Sequence, residues 1–97
     1  METGKTYTIK LNSGEELIAK VMGTNVDYIE VTNPVSIAPG QQGMQMIPSM
    51  FTADIDKEIR INRSSISLYA YTDESIADRY LEATTGIKMP EKKIILG

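Results

Sequence analysis

The chain opens on strict alternation, with Tyr7, Ile9 and Leu11 on one face and Thr6, Thr8 and Lys10 on the other. That period of two predicts a half-buried β-strand over 6–11. Asn12-Ser13-Gly14 follows; Gly14 can take a positive φ at little steric cost, so the chain is expected to reverse into a hairpin. The second strand, over 16–22, carries Leu17, Ala19 and Val21 on one face. Ile18 and Met22 share the other with Glu16 and Lys20. A strand apolar on both faces suits a strongly bent barrel, or a sheet whose outer face meets another element or subunit. Gly23-Thr24-Asn25 is the next expected turn.

Alternation resumes over 28–31, with Ile29 and Val31 opposite Tyr28 and Glu30, until Asn33-Pro34 removes a backbone donor and interrupts the ladder. The strand is expected to resume over 35–37. Pro39-Gly40-Gln41-Gln42-Gly43 reads as a loop tip, and the apolar, proline-broken stretch 44–51 as an irregular edge strand. Over 58–62, Ile59 and Ile61 point inward; over 65–71, Ile66, Leu68 and Ala70 do the same, with Asn62-Arg63-Ser64 as the connector. After Tyr71 the period lengthens: Ile76, Tyr80 and Ala83 share a helical face, flanked by Ala77, Leu81 and Thr84. Thr72 is placed to cap this helix, Asp73 and Glu74 suit its positive end, and Gly86 ends it. The expected fold is mainly β: a small, strongly bent antiparallel five-stranded barrel over about 5–71, a C-terminal helix over about 73–85 and a tail over 86–97. The helix must cover the open end of its own barrel or a neighbouring subunit, the first being the simpler arrangement.

Composition narrows the chemistry. At 97 residues the chain suits one domain. It has no cysteine and no histidine, which excludes disulfides, cysteine nucleophiles, Cys/His zinc sites and a Ser-His-Asp triad. A formal charge of −3 supplies no general attraction to nucleic acid or to an anionic membrane. The first residues lack a basic region followed by an apolar core, and no apolar run approaches the length of a bilayer span, so a cytoplasmic protein without membrane contact is expected. Asp54, Asp56 and Glu58 would lie on one side of an extended segment, but lack the turn glycine and further oxygen ligands of a cation loop; they read as a solvated acidic edge. Nothing marks a nucleophile, an oxyanion hole or a cofactor site, so no enzyme, metal or cofactor is expected.

The run Leu11-Asn12-Ser13-Gly14-Glu15-Glu16-Leu17-Ile18-Ala19-Lys20-Val21-Met22-Gly23 resembles the first motif of the Sm-like family, with its Leu-x-x-Gly turn and spaced glycine. Ile61-Asn62-Arg63-Ser64-Ser65-Ile66 stands where the second motif would be, and the whole chain is similar to phage-type Sm-like proteins. The resemblance covers roughly two thirds of the chain. It implies an Sm-like barrel that assembles into a homo-oligomeric ring of about five to seven subunits, in the cytoplasm of an infected host cell if phage-encoded. Ring closure would pair the strand carrying Ile59 and Ile61 with the neighbour's strand carrying Ile66, Leu68, Tyr69 and Tyr71, satisfying edges left with unpaired backbone groups.

The family also implies single-stranded RNA in the ring pore, and an RNA chaperone role. The departures bear on this: Asn25 stands where the first motif usually carries aspartate, Ile29 where it carries asparagine, Asn62-Arg63 where the second carries Arg-Gly, and Ala19 replaces a frequent glycine. Asn62 and Arg63 are the principal candidate RNA contacts, with Asn25, Lys57 and Arg60 as accessory ones, against the plainer reading of a solvent-facing turn. Tyr28, Tyr69 and Tyr71 can stack on bases, though interface packing is the commoner use. Met44, Met46 and Met50 offer an adaptable partner surface, though packing under the loop is the commoner use. The alternative function is a ring-forming scaffold that meets a protein partner through the methionine-rich loop or the C-terminal tail, without RNA.

Overall fold

A computed structural model describes residues 1–40 and 43–85. Six antiparallel strands form one sheet: β1 (Thr6–Leu11), β2 (Glu16–Thr24), β3 (Tyr28–Gly40), β4 (Gly43–Pro48), β5 (Ile59–Asn62) and β6 (Ile66–Tyr71). A 3-10 turn, Arg63–Ser65, joins β5 to β6, and one helix, α1 (Glu74–Thr84), follows. The order is β4-β3-β2-β1-β6, with β5 also on β3. β3 is long enough to hold β5 along its first half (Tyr28↔Asn62 to Val31↔Ile59) and β4 along its second (Val35↔Pro48 to Gly40↔Gly43). Among the described residues no ladder joins β6 to β4 or β5, so the sheet is not closed by pairing. The Met-rich stretch, expected as an irregular edge strand, is a regular strand on β3, so the sheet has six strands where a barrel of five is expected.

Turn chemistry explains the first hairpin. Gly14, at φ 95°, donates its N–H to the Leu11 carbonyl at 2.9 Å, and Leu11 N–H donates to the Glu15 carbonyl at 2.8 Å; any other residue would strain that left-handed position. The second turn begins later than expected, since β2 runs on through Gly23 and Thr24. Asn25 then makes an Asx turn, its Oδ1 accepting from Asp27 N–H and Tyr28 N–H, both at 2.9 Å.

Pro34 does not break β3. It is preceded by Asn33 at φ 52°, and the β2–β3 register shifts between Ile18↔Val35 and Lys20↔Thr32. This extra residue is a bulge, and it turns the strand over. Ile29 and Val31 join Tyr7, Ile9, Leu17, Ala19 and Val21 in the main core, whereas Val35 packs on the opposite face with Ile18. At the loop end, Pro39 and Gly40 belong to β3 and Gly43 to β4, with Gln41 and Gln42 outside the described residues.

The second face is covered by α1. Tyr80, 2% exposed, packs with Ile18 and Val35, flanked by Ile37, Met46 and Ile76. Its hydroxyl proton is shared between the carbonyls of Asn33 (2.8 Å) and Thr32 (3.2 Å), at and beside the bulge. The helix therefore lies on the outer face of β2 and β3 rather than over a barrel end. Its buried stripe is also narrower than expected: Leu81 and Ala83 are exposed. The cap is Asp73 instead of Thr72, its carboxylate accepting from Ser75 Oγ (2.6 Å), Ser75 N–H (3.1 Å) and Ile76 N–H (3.4 Å). Those bonds, that from Ser75 Oγ foremost, hold the Asp73 carboxyl below its usual range. Thr72 instead meets Thr8, hydroxyl to hydroxyl at 3.1 Å. Gly86 and the tail lie outside the described residues.

Burial pushes the Tyr80 phenol up to about 12, partly offset by a backbone hydrogen bond at Lys20. The raised folded value means that stability is fully present below pH ~10, where the unfolded phenol is still neutral, and is lost as pH rises towards ~12. Urea unfolding followed by circular dichroism should show that alkaline loss, of the order of 2 kcal/mol, and Tyr80→Phe should abolish it. At neutral pH the same substitution should cost about 1–2 kcal/mol for the two carbonyls left without a donor. Tyr80→Ala should cost about 3–5 kcal/mol.

Candidate nucleic-acid interface

Two turns distant in sequence meet at one end of the sheet. Pairing of Tyr28 with Asn62 brings the Asn25–Asp27 turn beside the 3-10 turn. Arg63 ties them: its N–H donates to the Asp27 carbonyl at 2.9 Å, and its Nε donates to the Asn25 carbonyl. On the other side, Asn12 Nδ2 donates to the Ser64 carbonyl at 2.6 Å and Asn12 N–H to the Ser65 carbonyl at 2.7 Å. The Arg63 backbone is thus held from both flanks, while its guanidinium keeps further N–H groups beyond the one bound to Asn25.

Asn25, Asn62 and Arg63 are therefore neighbours. Asn62 is exposed and Arg63 half-buried. Arg63 also borders a cavity of about 220 Å³ lined by Met1, Ile66, Ser67 and Tyr69. Arg60 stands apart on the same face as Asn62; its guanidinium lies 4.4 Å over the Tyr28 ring and its Nε 3.5 Å from Glu30 Oε2. Its guanidinium is thus already engaged by a carboxylate and a ring face. Lys57 is not part of the group. It sits in the turn before β5, its N–H on the Asp54 carbonyl at 3.1 Å, five residues or roughly 16 Å of extended chain from Asn62.

That turn also changes the acidic run. Asp54 Oδ1 accepts from Asp56 N–H at 3.2 Å, so the segment is not extended and its three carboxylates do not share one side of a strand. Ile55, 9% exposed, is anchored by its carbonyl to Asn33 N–H at 2.7 Å. Among the described residues no group of three or more acidic side chains is arranged to hold a metal ion.

Sequence reasoning missed Val26 and Asp27. Val26, 88% exposed at the tip beside Arg63, is the most exposed large apolar residue in the described chain, and Asp27 supplies a carbonyl to Arg63. Neither carries a local signal, because a single apolar residue in a turn and a backbone acceptor have no pattern to read.

The candidate interface residues divide into two sets. Ile59, Ile61 and Ile66 are half-buried against the main core. Leu68, Tyr69 and Tyr71 on β6 are 65%, 52% and 60% exposed. Among the described residues β6 pairs only with β1 and β5 only with β3, so within that set each has an unpaired edge. Of the methionines, Met46 packs under α1, but Met44 and Met50 are exposed beside Ile47 and Phe51. No helix among the described residues is long and apolar enough to cross a membrane.

Replacing Asn25 by Ala removes the oxygen that holds Asp27 N–H and Tyr28 N–H. Faster amide hydrogen exchange at Asp27 and Tyr28, with the core amides of β2 unchanged, is the expected NMR result. No known family model matches this chain, and no curated protein matches it in sequence.

Proposed function

We propose that this protein is an Sm-like barrel that assembles into a homo-oligomeric ring and binds single-stranded RNA at the joined turns. The observation that carries this reading is the bond from Arg63 to Asn25, which unites the two segments that resemble the family's motifs. The 3-10 turn supports the barrel, because it carries the chain from the β3 side of the sheet to the β1 side, placing β5 and β6 as the two ends of one curved path. The free edges of β5 and β6 support the ring, since a head-to-tail contact repeated around a closed axis leaves neither unpaired.

At the joined turns, Arg63 supplies charge and a stacking plane, and Asn62 an amide able to read a base edge. Val26 adds an apolar contact. With a net charge of −3, binding rests on local contacts, and the slope of affinity against salt is small.

A second reading is a ring that serves as a protein scaffold. It is favoured by the exposure of Met44 (50%), Ile47 (40%), Met50 (46%) and Phe51 (55%) around β4, a flexible apolar surface of the kind that accommodates partners. The C-terminal tail offers a further contact.

Light scattering of the purified protein should give a mass several times 10.8 kDa. Fluorescence anisotropy with labelled uridine-rich and adenine-rich strands should show binding that Arg63→Ala weakens roughly tenfold, with a salt slope lower by about one. A ring that binds neither strand at low salt would favour the scaffold; a monomer at micromolar concentration would overturn both readings.

A further inference from the structure

Beyond the joined turns, the far end of β6 holds a pocket of different chemistry. A cavity of about 520 Å³ is lined by Met1, Glu2, Tyr7, Tyr69, Ala70 and Tyr71. Tyr71 stacks on Tyr7 with ring centres 4.9 Å apart, and Tyr69 stands edge-on to Tyr7 at 6.1 Å. Tyr71 OH donates to Glu2 Oε2 at 2.7 Å, and Glu2 N–H donates to Tyr7 OH at 2.7 Å. The bond to Glu2 is the chief cause that pushes the Tyr71 phenol above its usual range, so it stays neutral.

The pocket therefore presents one carboxylate and exposed aromatic faces, and no basic side chain lines it. Glu2 forms no ion pair among the described residues, the Met1 amino group included. A carboxylate has lone pairs beyond the one used by Tyr71, and tyrosine faces attract cations. The complementary group is an ammonium or guanidinium on an apolar stem.

Strand geometry indicates where that cation comes from if β5 of one copy pairs with β6 of the next, a source that rests on the ring reading. Every pairing within the sheet is antiparallel. Residues directly opposite share a face, and burial of the apolar set decides the register. Ile59 and Ile61 face the core, as do Tyr69 and Tyr71, which stand opposite Ile9 and Tyr7. Matching these faces while pairing all four β5 residues puts Ile59 opposite Tyr69 or Tyr71. The antiparallel direction then carries the start of β5, and with it the turn that holds Lys57 two residues earlier, to the Tyr71 end of β6. That is the Glu2 end of the pocket. Lys57 has no ion-pair partner among the described residues.

We propose that the Met1-Glu2-Tyr69-Tyr71 pocket is an intersubunit receptor for the Lys57 ammonium of a second copy. Lys57 then acts in assembly rather than in RNA contact, and the pocket polarises the contact, with its receptor on β6 and its ligand at the start of β5.

Charge exchange tests this. Glu2→Lys, Lys57→Glu and the double exchange would be compared with the unmodified protein by sedimentation over a concentration series, with circular dichroism to confirm folding. Each single exchange should raise the concentration for half-assembly roughly tenfold, and the double exchange should return it to within about twofold of the original. Lys57→Glu, in an exposed turn, keeps the test valid if Glu2→Lys disturbs the N-terminal segment; Lys57→Arg should assemble normally. Assembly unaffected by the single exchanges, or not restored by the double one, overturns the proposal while leaving the ring intact. A protein that is monomeric without any substitution overturns the ring reading and this proposal with it.

Discussion

β2 must bury both of its faces, and the rest of the fold depends on how that is achieved. Leu17, Ala19 and Val21 close the main core, whereas Ile18 needs a second apolar layer on the opposite side. With the six strands in one sheet, no second sheet provides it. The solution is local. The bulge at Asn33 turns β3 over halfway along, so Ile29 and Val31 face one core and Val35 faces the other. At and beside the bulge the Thr32 and Asn33 carbonyls accept from Tyr80, which anchors α1 as the cover. The Asn33 N–H donates to the Ile55 carbonyl. One extra residue thus fixes the helix and the segment that leads into β5.

This arrangement separates structure from surface. The helix side of the sheet is closed by Tyr80 and Ile76, while the joined turns and the edges of β5 and β6 stay open. At the turns, Arg63 is held by backbone contacts to Asn25 and Asp27 and the following residues by Asn12. Recognition there costs little in ordering, because the loops are already tied. Arg60, by contrast, is already engaged by Tyr28 and Glu30, and Lys57 lies at the opposite end of β5. The basic residues around β5 are thereby given different surroundings, although their side-chain chemistry alone would treat them alike.

Much of this was legible in the residue order. Alternation marked the bounds of β1, β5 and β6 to within about a residue, and the change of period after Tyr71 marked α1; on β6, however, the register shift at Lys10/Leu11 leaves Ile66 inward but puts Tyr69 and Tyr71, rather than the expected Leu68 and Ala70, on the core side. The two-faced character of β2 announced an outer partner. The helix stripe was overestimated because periodicity counts apolar residues without knowing how wide the surface beneath them is; Leu81 and Ala83 extend past it. Asp73 displaced Thr72 as the cap because Thr72 is drawn to Thr8 on β1, a contact between residues 64 positions apart. By its missing donor Asn33-Pro34 predicts a break; the structure keeps the strand by placing that proline at a bulge, where no donor is needed.

The sequence by itself determined the element types, the turn at Gly14, the paired apolar faces of β2 and the lack of histidine and cysteine chemistry, because period, φ preference and side-chain type are local properties. Tertiary structure alone decided that Asn25 and Arg63 meet, that Arg60 pairs with Glu30, that Lys57 stands apart and that Glu2 joins the tyrosines of β6. Each of these contacts bridges residues that chain distance separates and sheet register brings together. Register, in turn, depends on where a bulge inserts its extra residue, and that is settled by the burial of whole faces rather than by any single position.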